Sequence, residues 1–510
     1  MKKPTLFKSA AILGAAMVLA KLSGFAREVV LAAFFGAGTV SDAFILAFTI
    51  PELLLFLISA AVAASYIPMY YRVEEKVKFT RNIMTCLLFV GLAFSIVFTI
   101  FPGVLVRLFA FQVEPETFEM ASFFLRYMVW TAVLILFADV FGARLEIDGS
   151  FFANGMRSLW RNIVVILGLI LGAVTGFNVW IAIAPVAGTA FGTIVLAMVC
   201  KRHGFTYKPF LDLRSPALRQ LLVLVGPIFL STAALQLKFI ISRNFAASLG
   251  TGSISYLYFS GKITNLFTLL MGTVFSVVLF PHMSKMAADG DIDKLKETLS
   301  RGIVYIFALM LPVSIGVFIL ATPGVRILLF RGAFTVEDTI ATAAALRMYT
   351  PLLLSASITP LLLRAFHAMQ NTKRPAVAGI ISVAAALGLS FLLIEPLGVE
   401  GLALSGSVSG TILVCLLFIL LRKKIGRLGF RRYLPELAKI TFAAGIMGAG
   451  VYFAAWVLPL MYTANSWHGL LLMAVPAAGG VAIYGGLLLA LRSSIAWEIL
   501  RRLVRLGRRQ

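Results

Sequence analysis

The sequence predicts an all-α, polytopic membrane protein with about fourteen transmembrane helices. Three observations carry that prediction. Hydrophobic residues make up 60% of the 510 and charged residues 13%, more apolar surface than a water-soluble domain can cover. The apolar residues gather into runs of about 20 or more, the length that crosses a hydrocarbon core about 30 Å thick. Most of the 45 Lys and Arg residues fall in alternate gaps between those runs, which is the positive-inside pattern. The net charge of +23 does not indicate a nucleic-acid binder. The basic residues flank apolar spans, form no soluble basic domain and suit an anionic inner leaflet.

In chain order the apolar segments are 9–34, 41–69, 82–110, 119–143, 160–176, 178–200, 220–249, 253–284, 302–322, 338–366, 376–394, 399–421, 437–459 and 468–491. Lys2, Lys3 and Lys8 precede the first run, but no A-x-A-like cleavage site closes it, so it reads as a retained span. The basic gaps are the N-terminus, 72–81, 144–161, 201–219, 285–301, 364–374, 422–439 and the tail 492–509. The other gaps are short and acidic or neutral: 36–40, 114–119, 250–252, Glu337 with Asp338, 395–400 and 462–466. Both termini are therefore expected in the cytoplasm, which an even number of spans satisfies. Cys86, Cys200 and Cys415 lie far apart in or beside apolar stretches, without metal or disulfide spacing. Their expected role is apolar packing.

The chain also repeats. Residues 31–44 read LAAFFGAGTVSDAF and residues 245–258 read FAASLGTGSISYLY. Ala32, Ala33, Gly36, Gly38 and Ser41 recur, without gaps, as Ala246, Ala247, Gly250, Gly252 and Ser255. Each copy sits at the turn between the first two spans of a half, and the halves begin an even number of spans apart. They are expected to share one orientation, with a substrate path at their interface. The expected domains are a six-helix bundle over 1–219, a second over 220–421, and two added helices with a basic tail over 422–510.

Charges inside spans are costly and usually face a partner or a water-filled cavity. Lys21, Arg27 and Glu28 lie in the first span, Asp42 in the second, Lys238 in the seventh and Lys262 in the eighth. Lys21 and Glu28 are seven residues apart and share a helical face. These six are the candidate binding residues, with the acids orienting the cations. Arg126, Asp139 and Arg347 read instead as structural or snorkelling charges. A basic cavity at bilayer depth implies an anionic substrate, and Lys and Arg suit phosphates. Pro51, Pro227, Pro312, Pro351 and Pro360 interrupt spans and are candidate hinges. His203, His282, His367 and His468 lack ligand spacing, and no Walker, HExxH or GxSxG motif is present. No catalytic residue, metal site or cofactor is expected.

Residues 23–44, SGFAREVVLAAFFGAGTVSDAF, resemble the opening stretch of the MurJ (MviN) family of lipid II flippases, in the multidrug/oligosaccharidyl-lipid/polysaccharide exporter superfamily. Supporting echoes are Phe280-Pro281 with Ser284-Lys285, Arg331-Gly332-Ala333-Phe334, Arg364-Ala365-Phe366, residues 371–375 (NTKRP) and residues 401–404 (GLAL). The resemblance implies a flippase, not an enzyme, that moves a polyprenyl-diphosphate-linked saccharide outward by alternating access. Lipid II is the foremost candidate. It places the family's first-span Arg pair on Lys21 and Arg27, its acid after the FGAG turn on Asp42, and its span-8 cation on Lys262. Positions where relatives carry an Arg and an acid in span 2 read Leu55, Phe56 and Ser59 here, and no sodium site carries over. Another polyprenyl-linked glycan, a drug/cation antiporter of the superfamily and a membrane glycosyltransferase or polymerase are the alternatives. Expected partners are the glycolipid substrate and membrane lipids, with cell-wall synthesis proteins as further candidates and no nucleic acid. The expected location is the inner membrane.

Overall fold

The computed structural model describes residues 6–369, 371, 373–458 and 467–498. Within them, the side chains of 6–17 and of much of 224–239 and 269–288 lie outside the description. So do the expected turn at 462–466 and most of the basic tail. The described residues are helical, without a strand, as an apolar chain must be when every backbone N–H has to find a partner inside its own segment.

The chain divides into two compact units. The first holds residues 1–255 with 332–334, and the second 256–331 with 335–510. In the first unit, α1 (Leu6–Phe35) and α2 (Thr39–Arg72) form a hairpin, followed by α3 (Lys76–Ile100) and the short α4 (Pro102–Phe109). Next come α5 (Pro115–Met128), α6 (Thr131–Ile147), α7 (Phe151–Thr175), α8 (Asn178–Arg202) and α9 (Pro216–Ala247). α10 (Ser253–Ala288) begins in the first unit and continues in the second. The second unit adds α11 (Ile292–Ile319), α12 (Ala321–Leu329), α13 (Val336–Ala368), α14 (Lys373–Ile425), α15 (Leu434–Val457) and α16 (Trp467–Ala490).

Each of the fourteen apolar segments falls on one of these helices or on a broken pair. Among the described residues, nine helices are long and apolar enough to cross a membrane, or ten if α5 and α6, bent by 45°, count as one span. α14 is 53 residues long and turns at Gly398, where φ is 54° and ψ −128°. Its two arms, 373–397 and 399–425, correspond to two of the expected segments.

Local chemistry sets the helix starts. Pro102, Pro115 and Pro216 open α4, α5 and α9, where a missing N–H costs nothing. Thr335 and Asp338 form a reciprocal capping box at the start of α13, and the Tyr256 hydroxyl donates to Asp338 Oδ1 at 2.9 Å. α7 and α8 approach closely. A Cβ on Gly168 would stand 2.1 Å from Ala184 Cβ, and one on Gly188 would stand 2.7 Å from the Arg161 carbonyl oxygen. Small residues at such crossings let membrane helices pack backbone to backbone. Gly332 does the same beside α1: its φ is +58° and a Cβ there would lie 2.1 Å from Ala33 O. The neighbouring Ala333 N–H donates to that oxygen at 2.8 Å.

Two expectations change. The basic gap 144–161 is almost entirely helical, because α6 runs to Ile147 and α7 starts at Phe151. Arg157 and Arg161 are therefore helix residues rather than loop residues. Cys200 is buried in the first unit's core, but Cys415 is exposed and lines an apolar groove with Pro351 and Leu416.

Candidate anion-binding site

Arg27 is the most deeply buried cation among those candidates whose side chains are described. Its residue is 3% exposed and that of Glu28 is 1%. Arg27 Nη2 donates to Glu28 Oε1 at 2.5 Å, and Nη1 donates to Asn162 Oδ1 on α7 at 3.2 Å. Asn162 is fixed in turn, its Nδ2 donating to Ser23 Oγ at 3.0 Å. The guanidinium carbon lies 4.3 Å from the centre of the Phe48 ring on α2, a cation–π contact that strengthens when water is excluded. The sequence brings these groups together through the packing of α1 on α7 and the entry of α2 beside them.

Further arginines, which the sequence reading missed, continue the site along α2. Arg161 on α7 shares the Phe48 ring, at 5.4 Å, and its Nη1 is 2.6 Å from Glu52 Oε1. One turn back on α7, Arg157 Nη1 donates to Asp139 Oδ1 at 2.5 Å, and Ser59 Oγ donates to Asp139 Oδ2. Arg243 on α9 donates to Thr49 Oγ1 and to the Ile45 carbonyl oxygen. The available signal for Arg157 and Arg161 was their i,i+4 spacing just after the Asp148-Gly149-Ser150 turn, which marks one helical face.

Asp42 has a different task from the expected one of orienting a cation. It is 1% exposed. Its Oδ2 accepts from Gly252 N at 2.7 Å and its Oδ1 accepts from Ser255 N at 2.8 Å, and the Ser255 hydroxyl donates to Oδ1 as well. The carboxylate thus caps the first turn of α10, where unpaired N–H groups and the helix dipole favour negative charge. Gly250 and Gly252 have φ of 91° and 88°, backbone conformations that glycine adopts freely, and the turn they form brings the Gly252 amide to the carboxylate. Glu114 grips the same turn, accepting from Thr251 N at 3.2 Å and from the Thr251 hydroxyl.

Among the described residues, the structure shows no contact between Lys21 and this cluster. Lys21 lies nearly two turns before Arg27 on α1 and is exposed. The Lys238 side chain lies outside the described residues. Lys262 belongs to the second unit, where its half-buried ammonium sits 4.7 Å from the Tyr258 ring centre. Of the charges read as structural, Asp139 pairs with Arg157, Arg347 donates to Thr322 Oγ1 at 2.7 Å, and Arg126 is exposed.

The arrangement can hold an anion. It offers planar, always-charged guanidinium groups, two of them beside the Phe48 ring, held by carboxylate, amide, hydroxyl or carbonyl oxygens. Among the described residues it offers no nucleophile–base pair.

The sequence profile described as "Lipid II flippase MurJ" matches residues 31–471. A probable lipid II flippase MurJ of Bdellovibrio bacteriovorus is 28% identical over 438 residues, 82% of each chain. One of Vibrio cholerae is 26% identical over 508 residues, 95% of this chain and 96% of that one. A solved lipid II flippase MurJ in an inward closed conformation superposes with a TM-score of 0.81 at 23% identity, over 96% of this chain and 100% of the other. An inward-facing MATE-family multidrug resistance transporter of the MOP superfamily gives 0.67 at 16% identity, over 82% and 98%. At those identities the two structures attest the fold. The profile covers far more than half of the sequence, and the chain belongs to the lipid II flippase MurJ family.

Proposed function

We propose that this protein moves lipid II, a polyprenyl-diphosphate-linked saccharide, from the cytoplasmic to the outer leaflet by alternating access, with Arg27 at the centre of the diphosphate site. The observation that carries the assignment of Arg27 is its burial at 3% between Glu28, Asn162 and the Phe48 ring. A charge held at that depth is costly unless it is used. Lys21 and Lys262 supply further positive charge, as does Lys238. Glu28 sets the angle of the Arg27 guanidinium, and Asp42 holds the α10 end.

In this reading the repeats over 1–219 and 220–421 alternate, and 422–510 is an appendix that accompanies the lipid tail. Both termini are cytoplasmic. The membrane potential assists, since carrying one charge through about 100 mV is worth about 2.3 kcal/mol. An anionic headgroup leaving an inside-negative cell moves downhill. Proteins that polymerise the delivered saccharide into cell wall are the proposed partners. Depleting the protein and analysing the lipid-linked glycans of the cytoplasmic leaflet tests the reading. Lipid II should accumulate there; accumulation of a different glycolipid, or of none, overturns it.

A further inference from the structure

α2 carries no Lys or Arg before Arg72, so the cations beside its central turns come from neighbouring helices. Arg161 is one of them. It sits near the midpoint of the 25-residue α7, and a charge in a membrane-spanning helix calls for a partner or a polar cavity. Gly188 packs against its carbonyl oxygen, which pins the backbone there. Its Nε is buried and has no hydrogen-bond partner, although a buried donor left unmade costs about 1–3 kcal/mol. An acceptor at that edge of the guanidinium would satisfy it, and a phosphate or carboxylate oxygen is the acceptor that guanidinium geometry suits best.

The acids differ in exposure. The Asp139 side chain is 16% exposed and bonded by both Arg157 and Ser59. The Glu52 side chain is 34% exposed beside an Arg161 side chain that is 21% exposed. Glu52 follows Pro51 directly, and that ring removes a backbone hydrogen bond from this stretch of α2. Glu52 is the more exposed of the two acids.

We propose that Glu52 is a placeholder anion: it neutralises Arg161 while the site is empty and yields it to an anionic group of the substrate, so that Arg161 becomes a second ligand beside Arg27. The shared Phe48 ring keeps the two guanidinium groups close enough to address one diphosphate, or a diphosphate and an adjacent carboxylate. On release, Glu52 returns to Arg161 and competes with rebinding. The inference rests on the transport reading above and names a specificity residue and a counter-ion within its site.

The test is a double-mutant cycle on the full-length protein in nanodiscs, with undecaprenyl diphosphate as the probe and undecaprenyl monophosphate as the control. Glu52→Gln should bind the diphosphate about tenfold more tightly, and Arg161→Gln about tenfold more weakly. In the Arg161→Gln background, Glu52→Gln should have almost no effect, because the competition it removes no longer exists. Glu52→Gln should also slow turnover while lowering the half-saturating substrate concentration. Arg161→Lys keeps the charge and guards against a folding defect; it should bind with intermediate affinity. An ion pair that only braces α2 to α7 would shift thermal midpoints and leave affinities unchanged, which overturns the inference. Absence of diphosphate preference in the unmutated protein overturns the transport reading as well.

Discussion

Asp42, in the first turn of α2, caps the first turn of α10 through Ser255: its Oδ1 lies 2.8 Å from the Ser255 amide nitrogen and accepts from the Ser255 hydroxyl. Ser255 is the repeat counterpart of Ser41, the residue just before Asp42. The turn of the first copy thus supplies the acid, and the turn of the second supplies the amides.

Replacing Asp42 should therefore act through the cap. Asp42→Ala removes the acceptor for two backbone amides and should destabilise the protein by about 2 kcal/mol. Asp42→Asn keeps one acceptor oxygen but points amide hydrogens at other donors, and should fall between the two. Thermal melting in detergent, read with transport, checks this. An Asp42→Ala protein as stable as the parent would contradict the capping role.

Arg27 and Lys21 should separate in their tolerance. Arg27→Lys keeps the charge but loses the fork that reaches Glu28 and Asn162 together, so about a tenfold loss of transport is expected from the missing charged hydrogen bond. Lys21→Arg, at an exposed position, should transport normally. Complementation of a depleted strain with each variant, with protein levels matched, decides the point.

Gly332 should accept no side chain. With φ at +58° and the Ala33 carbonyl 2.1 Å from a Cβ, Gly332→Ala must shift α1 or the 332–334 segment and should cost at least about 2 kcal/mol. Fluorescence-detected size-exclusion chromatography of the expressed variant should show loss of the folded peak.

Topology offers an independent check. Single cysteines in a background lacking Cys86, Cys200 and Cys415 should react with an impermeant reagent in intact cells at Glu116 and Glu400. They should be protected at Lys76 and Lys294. Reaction at the second pair would reverse the proposed orientation.

The helices were legible because membrane-spanning segments announce themselves by length and apolarity, and Arg27, Glu28 and Asp42 because an acid or base in such a segment is conspicuous. Arg157 and Arg161 were not legible. Their cluster of basic residues imitates a cytoplasmic loop, and only the three-residue link between α6 and α7 shows that they enter the bundle. The task of Asp42 was hidden for another reason: its partners are backbone amides some 210 residues away, which carry no side-chain signature. Glu52 is visible in the sequence as a charge within the second span, but its partner Arg161 emerges only from the packing of α7.

Binding of a lipid panel to the purified protein, followed by native mass spectrometry, tests the central claim most directly. The account predicts retention of polyprenyl-diphosphate lipids over monophosphate, zwitterionic and neutral lipids. It also predicts loss of that preference in Arg27→Ala without loss of the folded state, and no change in the mass of the recovered lipid. Equal retention of all the lipids, or an undiminished preference in Arg27→Ala, would contradict it.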